Sequence, residues 1–358
     1  MLPRSIIDAY TPLIHDDILL QQIQTGSLEI PKLKQADLIN LISQVTEIFK
    51  MEQTLMYLEG DYTIVGDLHG NLRDLLRILA YAGNPLSSGY IFLGDYVDRG
   101  EFSIEIITLL FSFKLAYPTK VFLLRGNHEF ASLNKDYGFK KQCSKEYGDY
   151  VYDCFNEAFA YLPLAAILNK HFFLVHGGLA PKLEKVEQIS QMKRPIFSMD
   201  LEGNEGNVLT GMMWSDPSEE ISYFSDNIRG VGFYYGDQAV QDFLGRNNLK
   251  VIIRAHECVD GLRQKFNGNV ITVFSSSCYN SILLNTSGIL QITNSNKINS
   301  YIFNAVEQWH KKEMKWKSIE VDITIPLCQR VIKPRSTTSR PRCRKISCLV
   351  KNYKPFII

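Results

Sequence analysis

The chain has no run of apolar residues approaching the roughly 18 that a membrane-crossing helix requires. Its first residues, MLPRSIIDAYTPLIHDDILL, lack the basic start and unbroken apolar stretch of a secretory leader. The expectation is a cytoplasmic or nuclear protein without a membrane partner. Cysteine is scarce: seven residues, odd in number, form no Cys-x-x-Cys pair and begin no Cys-x5-Arg loop of the kind that presents a thiolate nucleophile. A disulfide framework and cysteine-based phosphoryl chemistry are both excluded as readings. Internal repeats and low-complexity tracts are absent. Acidic residues are missing from the last 36 residues, which hold nine Lys or Arg, whereas the first 322 carry 30 basic and 38 acidic side chains. The net charge of +1 therefore averages an acidic body with a basic tail. The tail, 323–358, has no aromatic stacking platform, so it reads as a flexible solvated extension, with no nucleic-acid partner expected.

What is present is the composition of an ordinary globular protein, 45% hydrophobic and 22% charged over 358 residues. Six short apolar runs begin at Tyr62, Tyr90, Val121, Phe172, Val251 and Val270, and their β-branched and aromatic content predicts buried strands. Between the first two, Leu72, Leu75, Leu76 and Leu79 repeat at helical spacing until Gly83-Asn84-Pro85 stops the pattern. Ser103 to Ala116 is apolar on most faces, as in a buried helix, and the stretch from Lys182 to Asn207 is the least patterned of the body. The pattern is α/β. The first five runs end in GDLHG, GDYVDRG, RGNHE, HGGL and RAHE. Strand ends in open sheets are where side chains from distant segments converge on a ligand.

Asp67, His69, Asp95, Asn127, His176 and His256 offer hard oxygens and imidazole nitrogens without thiolate, a donor set suited to Mn, Fe or Zn. Six donors exceed what one catalytic ion with open positions uses. Two divalent metal ions sharing a carboxylate and a bridging water or hydroxide, arranged for phosphate-ester hydrolysis, account for all of them. Arg99 and Arg229 are candidates to grip phosphate oxygens. His128 can donate the proton that a departing alkoxide needs if Asp98 holds its other ring nitrogen.

These blocks resemble the successive signatures of the phosphoprotein phosphatase family of metal-dependent Ser/Thr phosphatases. The likeness runs from about Leu38 to Tyr279 and includes LPLAAIL, WSDP and RGVGFYYG. It is closest to the type-1 catalytic subunits, and RAHECVDG is similar to the calcineurin group. The resemblance implies a two-sheet β-sandwich metallophosphoesterase (calcineurin-like) fold flanked by helices. By motif, Asp67, His69 and Asp95 match the ligands of one metal, and Asp95, Asn127, His176 and His256 those of the second. His128 and Asp98 match the proton-donor pair, and Arg99, Asn127, Arg229 and Tyr279 the phosphate and substrate contacts. It also implies direct attack by activated water on phosphoserine and phosphothreonine in proteins, and regulatory or targeting subunits as partners. The expected division is an N-terminal helical segment 1–37, a catalytic domain 38–322 and the tail.

One block departs from the family. Ser275-Ser276-Ser277-Cys278-Tyr279-Asn280 keeps the tyrosine of a Ser-Ala-Pro-Asn-Tyr-Cys loop but not its proline, asparagine or following cysteine. His15, His171 and His310 belong to no block and read as structural or solvated histidines. Trp214 and Asp216 read as supports for the loop that presents Arg229. Two rival functions share these motifs: a nucleotide or dinucleoside-polyphosphate hydrolase, and a catalytically silent partner-binding scaffold.

Overall fold

In the computed structural model, the described residues are 2–14, 28–83, 85, 88–199 and 203–319. The basic tail and His15 lie outside them. Each of the six apolar runs forms a strand: Tyr62–Val65, Gly89–Phe92, Val121–Leu123, Phe172–Val175, Val251–Arg254 and Val270–Val273. They do not share one sheet. A five-stranded sheet runs in the order Ile298–Phe303, Ser287–Ile292, Tyr62–Val65, Gly89–Phe92, Val121–Leu123, with the last three parallel. A six-stranded sheet runs Leu262–Lys265, Val270–Val273, Val251–Arg254, Phe172–Val175, Ala165–Leu168, Leu55–Leu58.

Alternation along each strand explains why two sheets form. Ile64, Ile91, Leu93, Phe122 and Leu124 of the first sheet pack with Phe172, Leu174, Ile253, Ile271 and Val273 of the second in one apolar cluster. The neighbours in sequence point the other way. Val65, Tyr90, Phe92, Val121 and Leu123 pack beneath the helices Leu2–Ile14, Gln35–Met51, Leu72–Ala82, Ser103–Ala116 and Asp149–Ala160. On the far side, Phe173, Val175, Ile252 and Val270 pack beneath Gly203–Trp214 and Asp237–Asn247. Period-two side chains buried on both faces read in sequence as unbroken apolar runs. The architecture is the expected sandwich of two sheets flanked by helices.

The helix at Leu72–Ala82 begins at Asn71, whose side chain accepts from the Asp74 N–H, and ends at Gly83 at φ +87°. Ser103–Ala116 is buried along nearly its whole length. In the segment 1–37 the described residues form the helix Leu2–Ile14 and also a strand, Glu29–Lys32, which pairs in parallel with Lys315–Ser318. Within 182–207 the helix Glu187–Gln191 appears, and Gly203–Trp214 begins.

Candidate metal centre

The parallel strands of the first sheet end together, so the loops after Val65, Phe92 and Leu123 leave from one edge. Those after Val175 and Arg254 leave from the corresponding edge of the second sheet. The two edges are joined where Asp67 bridges to Phe274 and its carbonyl accepts from Ser275 N. The candidate residues therefore meet at the seam between two sheets, not at the rim of one open sheet. Asp67, His69, Asp95, Asn127 and His128 come from one side, His176 and His256 from the other.

Turning side chains inward from strand ends forces unusual backbone. His69, Asp95, Asp98, Arg99 and His256 all have φ between +44° and +71°. This left-handed region disfavours residues with a Cβ by about 1–2 kcal/mol each. The loops also approach closely. A Cβ on Gly126 would lie 2.2 Å from Asp95 Oδ1.

Asp95 is the hub. Its Oδ2 lies 3.5 Å from His69 Nε2 and 3.4 Å from His176 Nε2. On one side Asp67 Oδ2 is 3.8 Å from His69 Nε2. On the other, His176 Nε2 is 3.0 Å from Asn127 Oδ1 and 3.2 Å from His256 Nδ1. The Nδ1 atoms of His69 and His176 donate to the carbonyls of Val97 and Leu93, at 3.0 Å each. In the neutral tautomer so fixed, each Nε2 lone pair faces carboxylate oxygen, imidazole nitrogen or amide oxygen. Acceptors crowded against acceptors in a buried site repel one another, and His256 Nε2 is buried with no partner among the described residues. Divalent cations between these donors relieve that repulsion, so the residues present fit a metal centre. Two overlapping donor clusters, His69–Asp95–His128 and Asp95–His176–His256, share Asp95.

The electrostatics separate these groups by role. Burial drives His69 down to about 3 and His256 well below its ordinary value, the latter helped by His176. Both are neutral bases, as ligands must be. Burial and the neighbouring Asp95 push the Asp67 carboxyl up to about 7. Burial acts on Asp95 in the same sense but is outweighed by His176 and His128, which hold it well below the carboxylate range. For His176, burial is outweighed by Asp95 and Asp67, which raise it; a cation held by those carboxylates would neutralise them and remove the cause of that rise. His128 differs from the other histidines of the cluster. Burial opposes its charge, yet Asp95 and Asp98 together raise it, and its Nδ1 donates to Asp98 Oδ2 at 2.7 Å. Asp98 Oδ1 accepts from Phe139 N at 2.9 Å. This geometry suits a proton donor better than a ligand.

Three other candidates border the cluster. The Tyr279 ring lies 5.1 Å from that of His69, and burial raises its phenol well above the ordinary value, leaving a hydroxyl donor. Exposed Arg99 stacks on Tyr137 at 4.1 Å, and its charge bears on both His69 and Tyr279. Arg229 donates through Nε to Asp216 Oδ2 at 2.7 Å, and its charge reaches His256. Trp214 packs edge-on against His256, with centroids 5.4 Å apart. His171 Nδ1 donates to Asn169 O, and His310 pairs with Glu101, neither of which is a residue of the cluster.

Four supporting residues carry no role in the sequence reading. Glu129, fully buried, accepts from the N–H groups of Asp95, Tyr96 and Gly126 and so fixes the Asp95 turn. Its signal was the last letter of RGNHE. Arg254, the first letter of RAHE, donates to Gly177 O, Ser215 O and Asp216 Oδ1, and so ties the His176 and Arg229 loops together. Asp74 accepts from Ser277 N at 2.6 Å and Asn71 Nδ2 at 2.8 Å, pinning the atypical Ser275–Asn280 loop beneath Tyr279. Asn285 holds its far side, accepting from Tyr279 N and donating to Ser276 O.

Residues 61–260 match the family described as calcineurin-like phosphoesterase. Among solved structures, the chain is similar to a protein serine/threonine phosphatase from Saccharomyces cerevisiae with similarity to human phosphatase PP5. That match has 28% identity and a TM-score of 0.71 over 77% of this chain and 91% of the other. A cold-active protein tyrosine phosphatase shares the fold at 15% identity and a TM-score of 0.50, covering 71% of this chain and 82% of that one.

Proposed function

The chain belongs to the calcineurin-like phosphoesterase family, and from that premise we propose that it is a protein-serine/threonine phosphatase working through two metal ions. The observation that carries the proposal is the position of Asp95, one carboxylate oxygen facing a donor cluster on each side at 3.5 and 3.4 Å. Asp67, His69 and Asp95 would hold one ion, and Asp95, Asn127, His176 and His256 the other. Divalent ions there supply Lewis acidity that activates water and neutralises charge on the phosphoryl group. The rest is done by the chain's own side chains. Arg99, Arg229 and Tyr279 supply N–H and O–H donors around the phosphate oxygens. His128 releases its Nε2 proton to the departing seryl or threonyl oxygen, while Asp98 on Nδ1 fixes its orientation and favours its charged form.

The 28% identity to the yeast serine/threonine phosphatase, extending over most of both chains, supports a phosphoprotein substrate over a nucleotide. The type-1 likeness of the signature segments is compatible with that neighbour, since both point within the serine/threonine class. The complete donor set speaks against a silent scaffold. We place the protein in the cytosol or nucleus, with regulatory subunits directing its choice of phosphoprotein. Comparing kcat/KM for a phosphoserine peptide with that for a dinucleoside polyphosphate tests the substrate class. The proposal predicts preference for the peptide, and preference for the polyphosphate would reverse it.

A further inference from the structure

Lys311 lies far along the chain from every signature block, yet it is held at the back of the acid pair. Its ammonium is 3.0 Å from Glu105 Oε1 and also pairs with Glu146 Oε1, while Lys32 reaches the other oxygen of Glu146 at 3.0 Å. Glu105 is 5% exposed. The lysine also lies 5.7 Å from the ring of Phe102 and 5.4 Å from that of Trp316, which stack on each other. Its backbone N–H donates to Glu101 Oε2 at 2.7 Å, and adjacent His310 bonds Glu101 Oε1 at 3.0 Å. Strand Lys315–Ser318, paired with Glu29–Lys32, brings both lysines to the same place.

The two glutamates are the ends of a lever. Glu146 is the last residue of the helix Phe139–Glu146, whose first N–H, that of Phe139, donates to Asp98. Midway along that helix, Gln142 donates to Gly100 O and accepts from Ser103 N. Glu105 sits in the first turn of Ser103–Ala116, and Ser103 Oγ accepts from Asp98 N. The loop 98–102 is thus gripped between two helix ends, and one ammonium closes the grip.

We infer that Lys311 is a positioning residue for the proton-donor pair: by clamping Glu105 and Glu146 together it holds the 98–103 loop so that Asp98 meets His128 at hydrogen-bonding distance. The inference rests on the phosphoserine reading above. Removing the ammonium leaves the buried Glu105 carboxylate facing the half-buried Glu146, with only Lys32 on the latter, and the helices part. The candidate ligands have further supports: Glu129 holds the Asp95 turn, and His69, whose carbonyl accepts from Gly100 N of this loop, is also tied through its own N–H to Asp95 O, so they keep their places. Arg99 rides on the same loop, so KM rises on both substrates alike, and the loss in kcat falls on leaving-group protonation.

An alkoxide leaving group needs that proton far more than an aryl oxide, which separates the positioning role from a merely structural one. The experiment compares kcat and KM on a phosphoserine peptide and on 4-nitrophenyl phosphate for wild type, Lys311→Arg and Lys311→Met, with bound metal counted in each. Expected for Lys311→Met is a fall in kcat of about tenfold on the peptide and less than about twofold on the aryl ester, at unchanged metal content. Lys311→Arg restores the peptide rate. Lys311→Met combined with Glu105→Gln and Glu146→Gln, which removes the stranded charges, shows the same selective loss if the single variant folds poorly. Equal losses on both substrates, or no loss on either, overturn the inference while leaving the functional reading intact. A wild-type chain that hydrolyses the aryl ester but not the peptide overturns the functional reading itself, and the inference with it.

Discussion

At the scale of single residues, the centre is defined by how each buried polar group is paired. His128 and His69 are near neighbours, their ring centroids 4.7 Å apart, yet they differ in what Nδ1 meets: a carboxylate for His128, a backbone carbonyl for His69. The first stabilises an imidazolium and the second a neutral base. His128→Gln should lower kcat on phosphoserine peptides by about 10²- to 10⁴-fold with little change in bound metal, as read by steady-state kinetics beside metal analysis. With His128 as the proposed acid, the working form is the protonated one, and since its folded value is raised, activity should persist above its ordinary pKa and fall as pH rises through the raised one. Asp98→Asn should move that alkaline limb to lower pH. Gly126→Ala is a sharper steric test. Its methyl would sit on Asp95 Oδ1, so metal content and activity should fall together.

At the scale of elements, the site depends on loops cross-tied by buried ion pairs. Asp216 accepts from Arg254 with one oxygen and from Arg229 and Asn227 with the other. Burial would raise this carboxyl, but Arg254, Arg229 and the hydrogen bond from Asn227 outweigh it and hold it well below the usual range. A depressed folded value means that its contribution to stability is complete above the unfolded pKa of about 4 and is lost as pH falls below it. Asp216→Asn should cost about 1.5–3 kcal/mol at neutral pH, less than a fully orphaned Arg254 would because Glu257 still pairs with it. Denaturant melts against pH should show a shallower acid limb for the variant, and KM should rise as Arg229 loses its anchor.

The same elements show what sequence could and could not disclose. Strands Tyr62–Val65 and Phe172–Val175 were legible to the residue because both faces are buried. Leu55–Leu58 was not, since Tyr57 is 57% exposed and the run directly follows a long helix. The helix Phe139–Glu146, FKKQCSKE, buries only Phe139 and Cys143, one turn apart, too little for a periodic signal. Its role came from Asp98, Gln142 and Glu146 contacts that span some 40 to 165 positions. The convergence of the candidate donors was legible because each follows a strand within a short block. Glu129 and Arg254, in the same blocks, were not assigned because their work is to hold backbone in place.

At the scale of the molecule, two sheets meet along one edge, and that seam is what the donors share. A run such as Val251–Arg254 carries no mark of which sheet it joins; its parallel pairing with Phe172–Val175 and Val270–Val273 places it in the second, with Ile253 in the apolar cluster between the sheets. Leu93→Ala, at the middle of that cluster, should cost about 2–5 kcal/mol and loosen the alignment of the two halves of the centre, read as a lower denaturation midpoint with weaker metal retention. Ions that bind the folded chain alone must also stabilise it. The most direct test of the two-metal account is to strip the purified protein with chelator, restore Mn²⁺, and assay a phosphoserine peptide with wild type and Asp95→Asn side by side. The account predicts about two ions per wild-type chain with activity recovered on metal addition, and at least about a hundredfold loss in Asp95→Asn. Equal activity in the stripped and restored enzyme, or in wild type and variant, would contradict it.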